Sequence, residues 1–270
     1  MHGWNLVGNP FTERAYITGN YYVIEGENGG TALVAANRDK NYVEPMEGIF
    51  VKATATGQSL TFSTTEPSKA NKRLVLNLSQ GQGLMDRAIV RFDESQPLPK
   101  FQLRDGSTKV YIPMNGKDYA VVSAEESMGE MPVNFKAEEN GTYTLSFNAE
   151  EVSFGYLHLI DNMNGNDVDL LANPSYTFDA KTTDYKSRFK IVFATGSSTS
   201  SDTFAFFSNG SFVINNEGNA TLQVIDANGR ILSSESINGC ANVNLNAAAG
   251  VYMLRLLNGD IEKTQKVVVR

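Results

Sequence analysis

Apolar and polar residues alternate with a period of two along most of this chain. Over Thr142 to Phe147, Tyr143, Leu145 and Phe147 fall on one side and Thr142, Thr144 and Ser146 on the other, the pattern of a half-buried strand. Leu74, Leu76 and Leu78 repeat it, as do Ala88, Val90 and Phe92, and then Phe189, Ile191 and Phe193. No window carries an apolar stripe at helical spacing over helical length. The acidic stretch Glu125-Glu126-Ser127, closed by Gly129, reads as a turn. Asp105-Gly106, Asn115-Gly116, Asn140-Gly141, Asn164-Gly165 and Asn228-Gly229 supply residues that tolerate positive φ between the runs. Short strands with such turns predict an all-β chain with a β-sandwich or jelly-roll body.

The C-terminal pattern is the most regular. Gly250 to Leu256, a turn at Asn258-Gly259-Asp260 and Lys263 to Arg270 predict a closing hairpin. Leu222 to Leu232 predicts another around Asn228-Gly229. The expected organisation is a β-rich segment over 1–70, a β-sandwich over 71–195, a linker over 196–202 and a small terminal sandwich over 203–270. The linker rests on Thr195-Gly196-Ser197-Ser198-Thr199-Ser200-Ser201-Asp202, which has little apolar surface to bury. The first boundary rests on Glu66-Pro67-Ser68-Lys69-Ala70-Asn71-Lys72. The segment before it has about five short strands, a thin sheet that either stands alone or packs on the next domain.

Composition narrows the function classes. A net charge of −7 over 270 residues, with no basic cluster beyond Lys69, Lys72 and Arg73, gives no nucleic-acid footprint. The single cysteine, Cys240, rules out an intrachain disulfide, and a chain of this length builds its cores without one. No apolar run reaches transmembrane length. Met1-His2-Gly3-Trp4 reads as leading straight into strand-like sequence, so no signal peptide is expected in this stretch.

The terminal pattern also carries a family likeness. Ile225-Asp226-Ala227-Asn228-Gly229-Arg230, Ala249-Gly250-Val251-Tyr252 and Lys263-Thr264-Gln265-Lys266-Val267-Val268, in that order and at that distance from the C-terminus, resemble the C-terminal sorting domain of the type IX secretion system of Bacteroidetes. The resemblance implies an Ig-like fold for 203–270 and a role in export across the outer membrane. It also implies removal of the domain there, with the rest of the protein released or attached to surface lipopolysaccharide. A protein of this kind needs an export signal first, so the expectation is a C-terminal portion of a longer precursor. Gly250, Tyr252, Lys263, Gln265 and Lys266 are the sorting-signal candidates, with Lys263, Gln265 and Lys266 expected to point outward towards the outer-membrane machinery. Gly3 to Phe11, Val43 to Lys52, Asp86 to Phe92 and Tyr156 to Asn162 resemble segments found ahead of such tails in large surface proteins, which suggests a stalk or adaptor.

Candidate chemistry elsewhere is sparse. A Ser-His-Asp or Cys-His site needs a placed histidine, and the chain has only His2 and His158. His158 alternates with Leu157 and Leu159 and reads as a surface or partly buried strand residue. Cys240, after Asn238-Gly239, reads as a small apolar residue at a strand start. Asp161, Asn164, Asp167 and Asp169 surround Gly165 and offer oxygen ligands for calcium, although the same residues make an ordinary hairpin tip. The acidic pairs Glu125-Glu126, Glu138-Glu139 and Glu150-Glu151 put neighbours on opposite faces and read as solvated. Gly26, Gly29 and Gly30 form a turn with no helix to follow. Trp4, Tyr16, Tyr21, Tyr22 and Tyr42 could form a glycan platform; Tyr21 and Tyr22 are adjacent, so one is expected outside, unless the rings are core. The expectation is a non-enzymatic extracellular or cell-surface protein with a sorting tail and no cofactor beyond a candidate calcium. A glycan- or protein-binding adhesin is the alternative.

Overall fold

The computed structural model describes residues 3–25, 32–35, 42–66, 72–94, 96–101, 106–126, 128–195, 204–208, 210–259 and 261–269. His2, the Gly26–Gly30 turn, Pro67 to Asn71, Asp105, Ser127, the linker at 196–202, Asp260 and Arg270 lie outside them. The described residues form strands and no helix, as the alternation predicts. They group into two compact units, each drawn from three stretches of chain: 1–124, 132–151 and 174–189 in the first, 125–131, 152–173 and 190–270 in the second.

The first strands are β1 (Trp4–Gly8), β2 (Tyr16–Ile17), β3 (Tyr22–Glu25), β4 (Ala32–Ala35), β5 (Gly48–Lys52) and β6 (Phe62–Ser63). They make a four-stranded sheet in the order β1-β5-β3-β4 and a separate β2-β6 pair. Next come β7 (Arg73–Gln80), β8 (Gly83–Arg91), β9 (Leu98–Pro99), β10 (Lys109–Met114), β11 (Lys117–Ser123), β12 (Glu130–Lys136), β13 (Gly141–Glu150), β14 (Tyr156–Asp161), β15 (Asn166–Asp169), β16 (Ser175–Ala180) and β17 (Phe189–Ala194). In the first unit the order is β12-β10-β11-β8-β7-β13-β16, with β9 beside β11. β8 and β11 run parallel, Ile89 opposite Val121. The two-residue turn Asn115-Gly116 joins β10 to β11 with φ of 51° and 72°, the geometry a tight hairpin demands. Gly141, by contrast, opens β13 opposite Ala180 without a positive φ.

β7 and β8 are buried on both faces, not one. Leu74, Leu76 and Leu78 are fully buried, and so are Val75 and Ile89 between them and beside them. Val75, Ile89, Leu98, Phe101, Ala120 and Val121 share one core with Tyr22, against which Trp4 and Phe50 pack. The N-terminal segment therefore shares its core with the strands after residue 72, and a sheet covered on both sides needs apolar residues at successive positions. Glu150 of an acidic pair expected in solvent partners Arg73, which is 1% exposed, with Nε donating to Oε2 at 2.6 Å. Removing either partner would strand the other charge.

In the second unit β15-β14-β17 form one small sheet. The terminal strands are β18 (Ala205–Ser208), β19 (Ser211–Ile214), β20 (Asn219–Asp226), β21 (Ile231–Asn238), β22 (Ala241–Asn244), β23 (Gly250–Asn258) and β24 (Ile261–Val269). They make a three-stranded sheet, β18-β19-β22, and a four-stranded antiparallel sheet, β21-β20-β23-β24. Both predicted hairpins are present, β20–β21 and β23–β24. The core between the two sheets takes every second residue of β20 and β23 (Leu222, Val224, Tyr252, Leu254, Leu256), with Phe212, Ile214, Val243, Val267 and Val269. A further cluster joins Ile160, Val192 and Ala194 to Val213, with Tyr156, Phe206 and Cys240 packed on it. Residues 152–173 and 190–194 are thus part of the same unit as the terminal strands.

Candidate functional site

The sorting candidates all lie on β23 and β24, and the parity of those strands sorts them. On β24, Val267 and Val269 are buried in the sandwich core, which puts Lys263 and Gln265 on the inner face and Glu262, Thr264, Lys266 and Val268 on the outer face. Only Lys266 of the expected outward trio points outward. Lys263 is half-buried opposite Leu256. Gln265 reaches across the sandwich: its Oε1 accepts the backbone N–H groups of Phe204 at 2.6 Å and Ala205 at 2.7 Å, and its Nε2 donates to the Ala205 carbonyl. One side chain thereby replaces a missing backbone ladder between β18 and β24. The signal was in the sequence, since Gln265 shares parity with Val267 and Val269, apolar residues at alternate positions.

Tyr252 is buried against Phe212 at 5.6 Å and donates its hydroxyl to the Ala248 carbonyl at 2.8 Å. It is a framework residue. Gly250 pairs with Val269, has no positive φ, and a Cβ there would meet its nearest neighbours at 3.8 Å, so neither backbone strain nor crowding requires glycine. The hairpin β20–β21 is tied at its tip by Asp226. Its carboxylate accepts the N–H groups of Asn228 and Arg230 and the Arg230 guanidinium, all between 2.7 and 2.9 Å. The Arg230 backbone N–H is the main reason its pKa lies below the usual carboxylate value.

The outer face of the four-stranded sheet has two ends. At one, Arg255 and Glu262 form a bidentate pair at 2.6 and 2.8 Å, each stabilising the other's charged form, with Thr264 and Ser234 nearby in register. At the other, the cross-strand pairs Ile231–Ile225, Ile225–Met253, Met253–Lys266 and Val251–Val268 build an apolar patch with one ammonium group in it. Ile231 is 56% exposed, Val268 51% and Val251 38%. Exposed aliphatic residues grouped in this way mark an interaction surface more than scattered ones do.

The other candidates do not come together. Asp161 is buried and points with Leu157 and Leu159 to one face of β14, where its Oδ1 accepts the Met163 N–H at 3.0 Å. Asp167 and Asp169 lie on the opposite face with His158, whose Nδ1 is 2.7 Å from Asp167 Oδ1. Asn164 caps the turn at Asn166 N, and Asp169 Oδ1 accepts the N–H groups of Leu171 and Ala172. These residues build a hairpin tip, and among the described residues no group of three His, Cys, Asp or Glu side chains is arranged to hold a metal ion. His158 stacks on Tyr156 with ring centroids 4.0 Å apart. Burial, reinforced by Asp167 and Asp169, pushes the Tyr156 hydroxyl up to about 12.

Both Tyr21 and Tyr22 are buried, contrary to the expectation of one outside. Tyr21 packs with Val23, Val43 and Ile49 on one side of the sheet, and Tyr22 faces Val75 and Ile89 on the other. Trp4 stacks on Phe101 at 4.5 Å and meets Tyr22 edge-on at 5.4 Å. Tyr21 and Tyr22 are core and Trp4 packs on it, the packing alternative to a glycan platform. Cys240 is half-buried beside Gly155, where a Cβ would lie 2.5 Å from its Sγ, which fits the reading of Cys240 as a packing residue.

Among the described residues no helix is long and apolar enough to cross a membrane. No curated protein and no solved structure matches the chain. Residues 208–270, which hold every strand from β19 to β24, match the family described as secretion system C-terminal sorting domain, and a tail of that family implies type IX export of the protein to the cell surface or the medium.

Proposed function

We propose that the export machinery reads this tail through the outer face of its four-stranded sheet, at the patch formed by Ile225, Ile231, Val251, Met253, Lys266 and Val268. The match of residues 208–270 to the sorting-domain family carries the reading. The patch supports it because Tyr252 and Gln265 are engaged within the fold and Lys263 lies on the inner face. An apolar surface with a central cation suits an anchor-and-charge mode of recognition, in which buried aliphatic area supplies affinity and the charge sets orientation. The body is delivered as a non-enzymatic stalk or adaptor, and after removal of the tail it is released or attached to surface lipopolysaccharide.

The test uses the whole chain behind an N-terminal export signal in a type IX-competent bacterium. Residues 152–173 and 190–194 share a compact unit with the tail, so a shorter fusion would cut through packed structure. The wild-type chain should reach the surface or the medium. Lys266→Glu with Val268→Asp should leave the protein in the periplasm while its thermal unfolding stays within about 0.5 kcal/mol of wild type, as expected for exposed positions. Normal delivery of that double variant would refute the outer-face assignment, and periplasmic retention of the wild type would refute sorting itself.

A further inference from the structure

The inner sheet of the terminal sandwich is covered on both sides. All four residues of β19 are buried. Phe212 and Ile214 point into the terminal core. Val213, which is 0% exposed, points the other way, into Ile160 of β14 and Val192 and Ala194 of β17. Phe206, the cross-strand partner of Val213, lies on that same side. A sandwich of two sheets keeps polar residues on their outer faces, so apolar burial here makes β18-β19-β22 a middle layer. The third layer is β14 with β17, and it precedes residue 195. Two glycines fit the layers together. A Cβ at Gly129 would meet the Phe206 ring at 2.6 Å, and one at Gly155 would meet Cys240 Sγ at 2.5 Å. In each case a side chain of the tail fills the space that a side chain on the body would need. All of these residues belong to the second unit. The face is thus shaped for one occupant, the tail of this chain.

We propose that a cut between residues 195 and 204 leaves the tail seated on this face, so that cleavage yields a two-chain complex and departure of the tail is a separate step. The place of the cut rests on the reading of the terminal module as a removable tail; the docking does not. Cutting changes connectivity and none of these contacts. It forfeits only the effective concentration that a covalent connection supplies, which for short flexible linkers is on the order of 1 mM. A docked state favoured about 1000-fold in the intact chain therefore gives a Kd of about 1 µM once the chain is cut. Separating the layers would bring Val213, Ile160 and Val192 into water together, which the hydrophobic effect opposes. An apolar interface that resembles a core cut in half is the kind that lasting assemblies use. Departure then needs an agent that competes for the face or pulls on the tail, and that event, not the protease, times the separation of body and tail.

The test places a site for a sequence-specific protease within 196–202 of the whole chain. The folded protein is cut, the cut is confirmed under denaturing conditions, and the product is passed through a gel-filtration column at about 10 µM, above the expected Kd. The two fragments should elute together at the position of the uncut chain and separate only in denaturant. Gly155→Ala fills the notch that holds Cys240 and should speed dissociation of the cut pair by roughly 10-fold. Loss of the tail from the body fraction of the otherwise wild-type chain, by separate elution or by precipitation, would overturn the proposal. Dissociation of the Gly155→Ala pair at the wild-type rate would overturn it too, because the fragments would then be held elsewhere. The wild-type elution decides by itself if that variant does not fold. No export takes place in this experiment, so its failure leaves the sorting reading standing, and a failure of sorting leaves the docking measurable.

Discussion

Gln265→Leu tests whether one side chain holds the terminal sandwich shut. Leucine keeps most of the volume and removes both hydrogen-bonding functions. Gln265 accepts from two backbone N–H groups and donates to one backbone carbonyl, all at Phe204 and Ala205, residues that are each 2% exposed. A typical intramolecular hydrogen bond contributes about 1 kcal/mol net, so three give about 3 kcal/mol. The loss should appear as local opening of β18 from β24. Hydrogen exchange read by mass spectrometry on peptides covering 204–208 and 261–269 should accelerate about 100-fold, the factor that corresponds to such a loss. Trp4 stacks in the core of the other unit, so its fluorescence reports that unit and should keep its unfolding midpoint. Gln265→Glu keeps the acceptor and forfeits the donor, and should lose about 1 kcal/mol. An exchange rate for Gln265→Leu within about twofold of wild type, equivalent to under ~0.5 kcal/mol, would refute the assignment.

Two further outcomes follow from the same geometry. Tyr22→Phe removes a hydroxyl that donates to the Pro99 carbonyl at 3.1 Å and accepts the Phe101 N–H at 2.9 Å; urea unfolding followed by Trp4 fluorescence should show a loss of about 1–3 kcal/mol, and an unchanged midpoint would contradict it. Gly155→Ala drives a methyl group to 2.5 Å from Cys240 Sγ and should destabilise the second unit by about 1–3 kcal/mol. Cys240→Gly in the same chain should recover part of that loss in a double-mutant cycle, and strict additivity would show that the two positions do not collide.

Much of this fold was legible because its signals are local. The strand alternation at Tyr143, Leu145 and Phe147 and the positive-φ turn at Asn115-Gly116 depend on neighbours in sequence, and both are present. What was not legible depended on whether a second layer covers a sheet. Tyr21 and Tyr22 point to opposite faces, as alternation requires, and both are buried because each face meets a different core. Hairpin register decided the loop at Asp161: once Asn166 pairs with Asp161, Asp167 and Asp169 fall on the other side of the sheet. Gln265 was a misreading of available information, since its parity with Val267 and Val269 already placed it inside. The buried ion pair of Lys100 with Asp86, Nζ to Oδ2 at 2.6 Å, has no sequence signature, because it depends on β9 lying beside β11, which in turn runs parallel to β8.

The packing of the tail on residues that precede it changes what processing leaves behind. Ile160, Val192 and Ala194 bury their side chains against Val213, with Phe206 and Cys240 beside them. A cut between residues 195 and 204 that let the tail depart would bare this surface on the remaining chain for the first time. The severed body would carry apolar surface that its precursor kept hidden, uncovered at the moment and place of the tail's departure.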